Sequence, residues 1–168
     1  MEEDTIAWYE NTDGQATFGQ QQVITTQADG ARDVYAADLD GDGDTDLGIA
    51  TLSTLFVYEN DGSGAMTQTV SYSAAFGYGH LKGGDLDGDG VTDIVVGAPG
   101  DDACGSACGT IHIHFMNEDG TPRETKEING NTTNGPATVA GDNFGFSVAN
   151  IGDLDEDGVI DLLVGAFG

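Results

Sequence analysis

The stretch DLDGDGDTDL, starting at Asp38, is written twice more with small changes: DLDGDGVTDI from Asp85 and DLDEDGVIDL from Asp153. Counted from the first Asp, positions 1, 3, 5 and 9 are aspartate in every copy. They are Asp38, Asp40, Asp42 and Asp46, then Asp85, Asp87, Asp89 and Asp93, then Asp153, Asp155, Asp157 and Asp161. Position 6 is always glycine: Gly43, Gly90 and Gly158. Side chains at alternating positions of a tight loop can converge on one point. A hard cation such as Ca²⁺ takes roughly six to eight oxygens at about 2.3–2.6 Å. The backbone carbonyl at position 7 (Asp44, Val91, Val159) can join the set, and the glycine at 6 permits the sharp turn. Asp and Gly also populate ordinary turns. Three copies with the same four aspartates and one glycine in register favour metal over turn chemistry alone.

An EF-hand opens with the same spacing but needs a bidentate Glu at position 12 and flanking helices. Position 12 here is Ile49, Val96 or Val164, and the flanks read as strands. Each loop is therefore expected to join two adjacent antiparallel strands, with no helix to swing, and to hold structural rather than switching calcium. About three Ca²⁺ are expected, one per loop. Mg²⁺ fits less well because it keeps its waters, and zinc and copper are disfavoured by the absence of Cys or His at these positions.

The chain carries 30 Asp plus Glu against 4 Lys plus Arg, a formal net charge of -26. So negative a surface argues against nucleic acid and anionic lipid as partners. High charge can mark disorder, but much of the acid is gathered in the three decapeptides, between segments rich in Val, Ile, Leu and Tyr. Clustered carboxylates repel one another unless a cation sits among them. No apolar run is long enough for a membrane helix. The opening MEEDTIAW lacks a basic region and an apolar signal core, so the sequence as it stands reads as neither membrane-inserted nor carrying a signal.

The acidic motifs start 47 and then 68 residues apart. Phe76-Gly77 and Phe144-Gly145 each lie nine residues before a motif, and Asp29-Gly30 holds that offset without the Phe. IAWYENTDG from Ile6 matches LFVYENDGSG from Leu55, and IHIHFMNEDG from Ile111 is a looser third copy. The longer repeat gains nine residues before Ile111 and twelve after it, both between strands, where loops tolerate insertion. Apolar stretches are short, β-branched or aromatic, and bounded by Gly, Asn and Asp, which is a strand pattern. One unit reads as four strands: 33–37, 46–50, 54–59 and 67–72, then 79–84, 93–98, 110–116 and 124–129. The chain opens with a third and fourth strand (5–11, 21–26) and closes with a first and second (146–151, 161–166). The expectation is an all-β chain of β-propeller blades, each of four antiparallel strands. Its divisions are a half-blade 1–28, blades 29–75 and 76–143, and a half-blade 144–168.

The pattern resembles the FG-GAP repeat of integrin α-subunit propellers and the related VCBS-type repeats of bacterial and algal surface proteins. FGFSVANIGDLDEDGVIDLLVGAFG from Phe144 and FGYGHLKGGDLDGDGVTDIVVGAPG from Phe76 carry the likeness. The copy around Asp38 lacks the Phe and has GIA in place of Gly-Ala-Pro, and Phe167 replaces the Pro in the last copy. The resemblance implies a calcium-stabilised propeller in an extracellular or cell-surface setting, and it carries the family's calcium positions onto all twelve aspartates. It carries over no catalytic residue. Propellers close with about four to eight blades, and this chain holds three blade equivalents with complementary halves. Either it is part of a longer propeller, or chains complete one another as a dimer or a filament.

Cys104 and Cys108 flank Gly-Ser-Ala in an inserted loop. A local disulfide in an oxidising compartment fits better than half of a soft-metal site, since no second pair exists. His112 and His114 share one face of a strand; a polar face opposite a buried one is expected, because no third ligand is evident. Asn131-Thr132-Thr133 is a glycosylation sequon, meaningful only in a secreted setting. Trp8, Tyr9 and Tyr58, like Phe76 and Phe144, are expected to pack between blades rather than stack on sugars. Ser147 has no His in register, and no nucleophile–base–acid set is legible. The function expected is a non-catalytic calcium-binding propeller for extracellular adhesion or assembly, with a protein or glycan partner at the cell surface. The first alternative is a lectin-like module, which needs a sugar pocket repeated between blades. The second is a polysaccharide-acting enzyme such as a lyase, for which only Arg32, Lys82, Arg123 and Lys126 could hold an acidic sugar.

Overall fold

The computed structural model describes residues 4–73, 77 and 79–168. Among them there is no helix, and so none long and apolar enough to cross a membrane. Strands β1 (Ile6–Trp8) and β2 (Gln22–Thr25) form a two-stranded sheet. Strands β3 (Asp33–Ala37), β4 (Asp46–Ala50), β5 (Thr54–Asn60) and β6 (Met66–Ser73) form a four-stranded sheet in chain order. A second such sheet follows: β7 (Leu81–Gly84), β8 (Asp93–Ala98), β9 (Thr110–Met116) and β10 (Pro122–Asn129). Strands β11 (Ser147–Gly152) and β12 (Asp161–Gly165) close the series as a pair. Every pairing is antiparallel. The all-β expectation of four-stranded antiparallel blades holds, and the acidic decapeptides are the hairpin loops β3–β4, β7–β8 and β11–β12.

Side chains alternate across a strand, so a strand sandwiched between two sheets must be apolar on both faces. DIVVGA of β8 is buried at every residue. Ile94, Val96 and Ala98 enter one core with Leu81 of their own sheet and with Leu39, Leu55 and Val57 of the unit before. Val95 turns the other way, into a core with Ile111, Ile113, Phe144 and Val148. A third core gathers Ile6 and Ile24 against Ile49 and Tyr58. The sheets therefore stack face to face in chain order. Each fully buried Val, Leu or Ile contributes on the order of 1.5–3 kcal/mol.

The Phe-Gly and Gly-Ala-Pro signatures meet between successive units. A Cβ added at Gly97 would overlap the carbonyl oxygen of Gly145. Gly77, of the other Phe-Gly pair, donates its N–H to Leu52 O at 3.1 Å. Glycine at these sites allows backbone to touch backbone across the interface. The loop carrying Cys104 and Cys108 supports the same seam. The two cysteines are joined, with Cα atoms 5.8 Å apart, and Phe144 N donates to Cys108 O at 3.0 Å.

Two expectations change. His112 and His114 do not form a polar face, for they are 2% and 1% exposed. A third strand in this stack is covered on both sides, and Tyr72 of β6 packs edge-on against His114 with ring centroids 4.6 Å apart. Tyr9 does not pack between blades but is 51% exposed, whereas its repeat partner Tyr58 is 5% exposed. Tyr58 is covered by the stacked sheet that carries Ile6 and Ile24. Phe144 does enter the interface. Phe76 lies outside the described residues.

Candidate metal centre

Each hairpin loop is wound by its own carboxylates. The first aspartate caps the turn: Asp38 accepts N–H bonds from Gly41 (2.6 Å) and Gly43 (3.1 Å). Asp85 does the same for Gly88, Asp89 and Gly90, and Asp153 for Asp157 and Gly158. The glycine at position 6 sits at φ 94°, 92° and 91° in the three loops, a left-handed conformation that other residues adopt only under strain. Position 4 needs the same hand. It is Gly41 and Gly88 in the first two loops, but Glu156 at φ 64° in the third.

The aspartate at position 9 opens β4, β8 or β12 and ties the loop to its sheet. Asp46 accepts from Leu39 N at 2.8 Å and from Asn60 N, at the end of β5, at 2.9 Å. Asp93 repeats this with Leu86 N at 2.8 Å and Met116 N, at the end of β9, at 3.0 Å. Asp161 accepts from Leu154 N at 2.8 Å; β12 has no third strand beside it among the described residues.

These constraints bring three carboxylates of each loop together. The groups are Asp38, Asp40 and Asp42, then Asp85, Asp87 and Asp93, then Asp153, Asp155 and Asp161, each with ligand oxygens within 4.8 Å of one another. Asp46, Asp89 and Asp157 lie outside these tight groups. Asp46 is engaged by two backbone donors, while Asp89 and Asp157 each accept the N–H two residues on, at 2.9 Å. The position-7 residues differ in setting: Asp44 is partly buried, Val91 is 6% exposed and Val159 is 47% exposed.

The electrostatics fit a cation. Burial raises the Asp40 carboxyl above the usual range; the Asp42 backbone N–H opposes that rise, and the carboxylates of Asp46, Asp42 and Asp38 add to it. Asp93 is also raised, first by burial and then by Asp89 and Asp85, against the bonds from Met116 and Leu86. A divalent ion among these oxygens would remove that repulsion, and an all-oxygen donor set suits a hard cation.

Two neighbours escaped the sequence reading. Glu59 on β5 adds a carboxyl raised by burial and by Asp40, Asp46, Asp119 and Asp42. Its Oε1 is buried with no hydrogen-bond partner. The shared Glu of WYEN and VYEN was the available signal, but strand alternation alone does not tell which face meets a loop. Arg123 on β10 forms ion pairs with both Asp87 and Asp89 and donates to Met116 O at 2.7 Å. Nothing in the sequence pairs Arg123 with a loop 34 residues away. The first two loops flank one open cleft of about 390 Å³ lined by Asp40, Asp42, Asp89 and Glu118.

The model of the FG-GAP-like repeat matches residues 2–49 and 38–96, more than half of the chain and the first two loops. The chain belongs to the FG-GAP-like repeat family. Among curated proteins, this FG-GAP chain is 35% identical over 150 residues to integrin alpha-4 of Xenopus laevis, covering 80% of the chain and 14% of that protein. It is 38% identical over 95 residues to human integrin alpha-6, covering 56% of the chain and 8% of that protein. It is 29% identical over 153 residues to human integrin alpha-E, covering 78% and 13%. The chain thus spans under one sixth of the length of these relatives.

Proposed function

We propose that this chain is a non-catalytic, calcium-binding β-propeller module for adhesion or assembly outside the cell. Residues 1–28, 29–75, 76–143 and 144–168 serve as half-blade, blade, blade and half-blade. One Ca²⁺ in each loop is held by aspartates at positions 1, 3, 5 and 9 and by the carbonyl at position 7. The ion's role is to neutralise the carboxylates and lock the hairpin, and no helix is attached to relay a movement. The observation that carries the reading is the threefold recurrence of an oxygen-only carboxylate group in equivalent hairpins.

Kinship with integrin alpha subunits supports a setting at the cell surface and a protein partner. The Cys104–Cys108 bond suits an oxidising compartment. A sugar-stacking role gains little support, since Tyr58 is buried in the core. Catalysis gains none: Arg123 and Lys126 lie over the Phe115 ring at 5.7 and 5.0 Å, and Arg123 is held by carboxylates.

Calorimetric titration of the EGTA-stripped chain tests the reading. Three Ca²⁺ per chain, with affinities around 10⁻⁴–10⁻³ M as in extracellular modules, are expected. Asp40→Asn, Asp87→Asn and Asp155→Asn should each remove one site. Absence of binding heat together with a melting temperature indifferent to EGTA would sink it.

A further inference from the structure

The two complete sheets, β3–β6 and β7–β10, meet in a seam whose apolar side chains include Leu55, Val57, Val70, Leu81, Ile94 and Val96. The far faces of both sheets are covered by other parts of the same chain. Ile6 and Ile24 pack behind the first sheet, and Val148 packs behind the second. Into the seam between them β9 sends two imidazoles. His112 and His114 are two residues apart on a strand, so they share one face about 7 Å from each other. They are 2% and 1% exposed. Tyr72, on the last strand of the first sheet, covers both, with ring centroids 6.4 Å from His112 and 4.6 Å from His114.

We propose that the His112–His114 pair is an acid-triggered release for this seam, parting the sheet β3–β6 from the sheet β7–β10 while each keeps its own strand pairing. Histidine is the side chain whose ordinary titration lies just below neutral pH. The imidazoles take no part in the backbone ladders, so a charge on them acts on the contact between sheets.

Every element around the pair is accounted for. β8 sets Ile94 beside His114 and Val96 beside His112. β10 sets Thr125 beside His114 and Glu127 beside His112. β6 adds Tyr72, and Asp101 lies before β9, accepting from Thr110 Oγ1 at 3.1 Å. Burial lowers the His112 pKa, while Glu127 and Asp101 oppose that fall. Glu127 Oε1 is 3.6 Å from His112 Nδ1, but its side chain is 53% exposed, so water screens the pair.

His114 has less support and is the trigger. Its Nδ1 lies 3.0 Å from Thr125 Oγ1, and its Nε2 is buried with no hydrogen-bond partner. The neutral ring tolerates this. The imidazolium carries N–H groups on both nitrogens, so it would bury an N–H at Nε2 without an acceptor, beside His112. Burial, and then His112, hold its pKa at about 4. Parting the sheets gives both rings to water, where each protonates near pH 6.5. The parted state therefore binds more protons, and the seam is whole above about pH 6.5 and weakens as pH falls. The device requires neither calcium nor a closed ring.

Thiol trapping tests the release. Val57→Cys places a thiol in the seam, and Val95→Cys places one in the core behind β8; both sites are 0% exposed, and the native cysteines are joined to each other. Labelling by dithiodipyridine is followed at pH 7 and pH 5, in EGTA and again in calcium, relative to a free thiol at each pH. Val57→Cys should label about twentyfold faster at pH 5, and Val95→Cys should change by less than about threefold. Adding His112→Leu and His114→Leu together should abolish the acceleration and leave labelling at pH 7 slow. Thr125→Asp, at an exposed site, sets a carboxylate beside His114 and should cut the acceleration at least about threefold. That variant keeps the test decisive if the double Leu variant fails to fold. Equal acceleration of both thiols would mean whole-chain unfolding and overturn the proposal. So would an acceleration that survives the Leu pair or ignores Thr125→Asp. Acceleration confined to the calcium arm would assign the acid response to the loops and overturn it as well. The same response in both arms supports the release whether or not the calcium reading holds.

Discussion

The first and third acidic loops share nearly the same letters and live in different surroundings. Leu39, at position 2 of the first loop, is 0% exposed; Leu154, at the same place in the third, is 72% exposed. Asp46 is fully buried and bonded to β5, while Asp161 is only partly buried. The loop folds from its own Asp and Gly residues, because the turn bonds from position 6 to position 1 and from position 7 to position 5 recur in all three copies. What makes the aspartate a structural anchor is the third strand and the blade beyond it. The local motif provides the cradle, and its neighbours decide how much stability depends on it.

The largest effect should separate the two anchors. Asp46→Ala strands the N–H groups of Leu39 and Asn60 in a buried site and should cost about 3 kcal/mol in urea unfolding. Asp161→Ala should cost about 1 kcal/mol. Equal losses would mean that the third strand adds nothing to the anchor.

Next comes the third-strand position held by Tyr58, His114 and Tyr9, whose middle member is buried deepest. Burial, aided by neighbouring His112, lowers the His114 pKa to about 4. Its Nδ1 lies 3.0 Å from Thr125 Oγ1, with Tyr72 and His112 beside it and Glu127 near His112. The unfolded chain takes up a proton near pH 6.5, while the fold holds His114 neutral. Stability is therefore complete above about pH 6.5 and falls by about 3 kcal/mol as pH drops toward 4. His114→Leu should flatten most of that slope between pH 6.5 and 5. An unchanged slope would remove His114 from the account.

The first two loops differ by an internal cation. Arg123 pairs with Asp87 and Asp89, and no such ion pair reaches Asp40 or Asp42 among the described residues. Arg123→Gln should tighten calcium at the second loop about tenfold, or about 1.4 kcal/mol, and leave the first unchanged in calorimetry. A weaker second site would mean that Arg123 holds the loop open for the ion instead of competing. The smallest effect concerns position 4. Glu156→Gly relieves a left-handed conformation that Gly41 and Gly88 adopt freely, and should raise stability by about 1 kcal/mol. In chemical denaturation the third loop should gain where Gly41→Ala makes the first loop lose.

Much of this was legible from the residues. Short apolar, β-branched or aromatic runs bounded by Gly, Asn and Asp placed β3, β4, β8 and β9 to the residue. Other strands shifted at their ends; the expected strand 5–11 is regular only over Ile6–Trp8, with an isolated bridge at Asn11. The loop aspartates were found because the motif is local and repeated. Glu59 and Arg123 were not, because they reach the loops from strands far along the chain. The two histidines were misread because alternation reveals that two faces differ, not that both are covered.

By itself, then, the sequence determined the strand phase and the three hairpin loops, since each follows from neighbouring residues and short-range backbone sterics. Only the tertiary structure decided which carboxylates converge, which aspartates anchor a third strand, and that His112 and His114 lie inside. Those outcomes depend on which sheet stacks against which, and that contact is made between residues the chain keeps far apart.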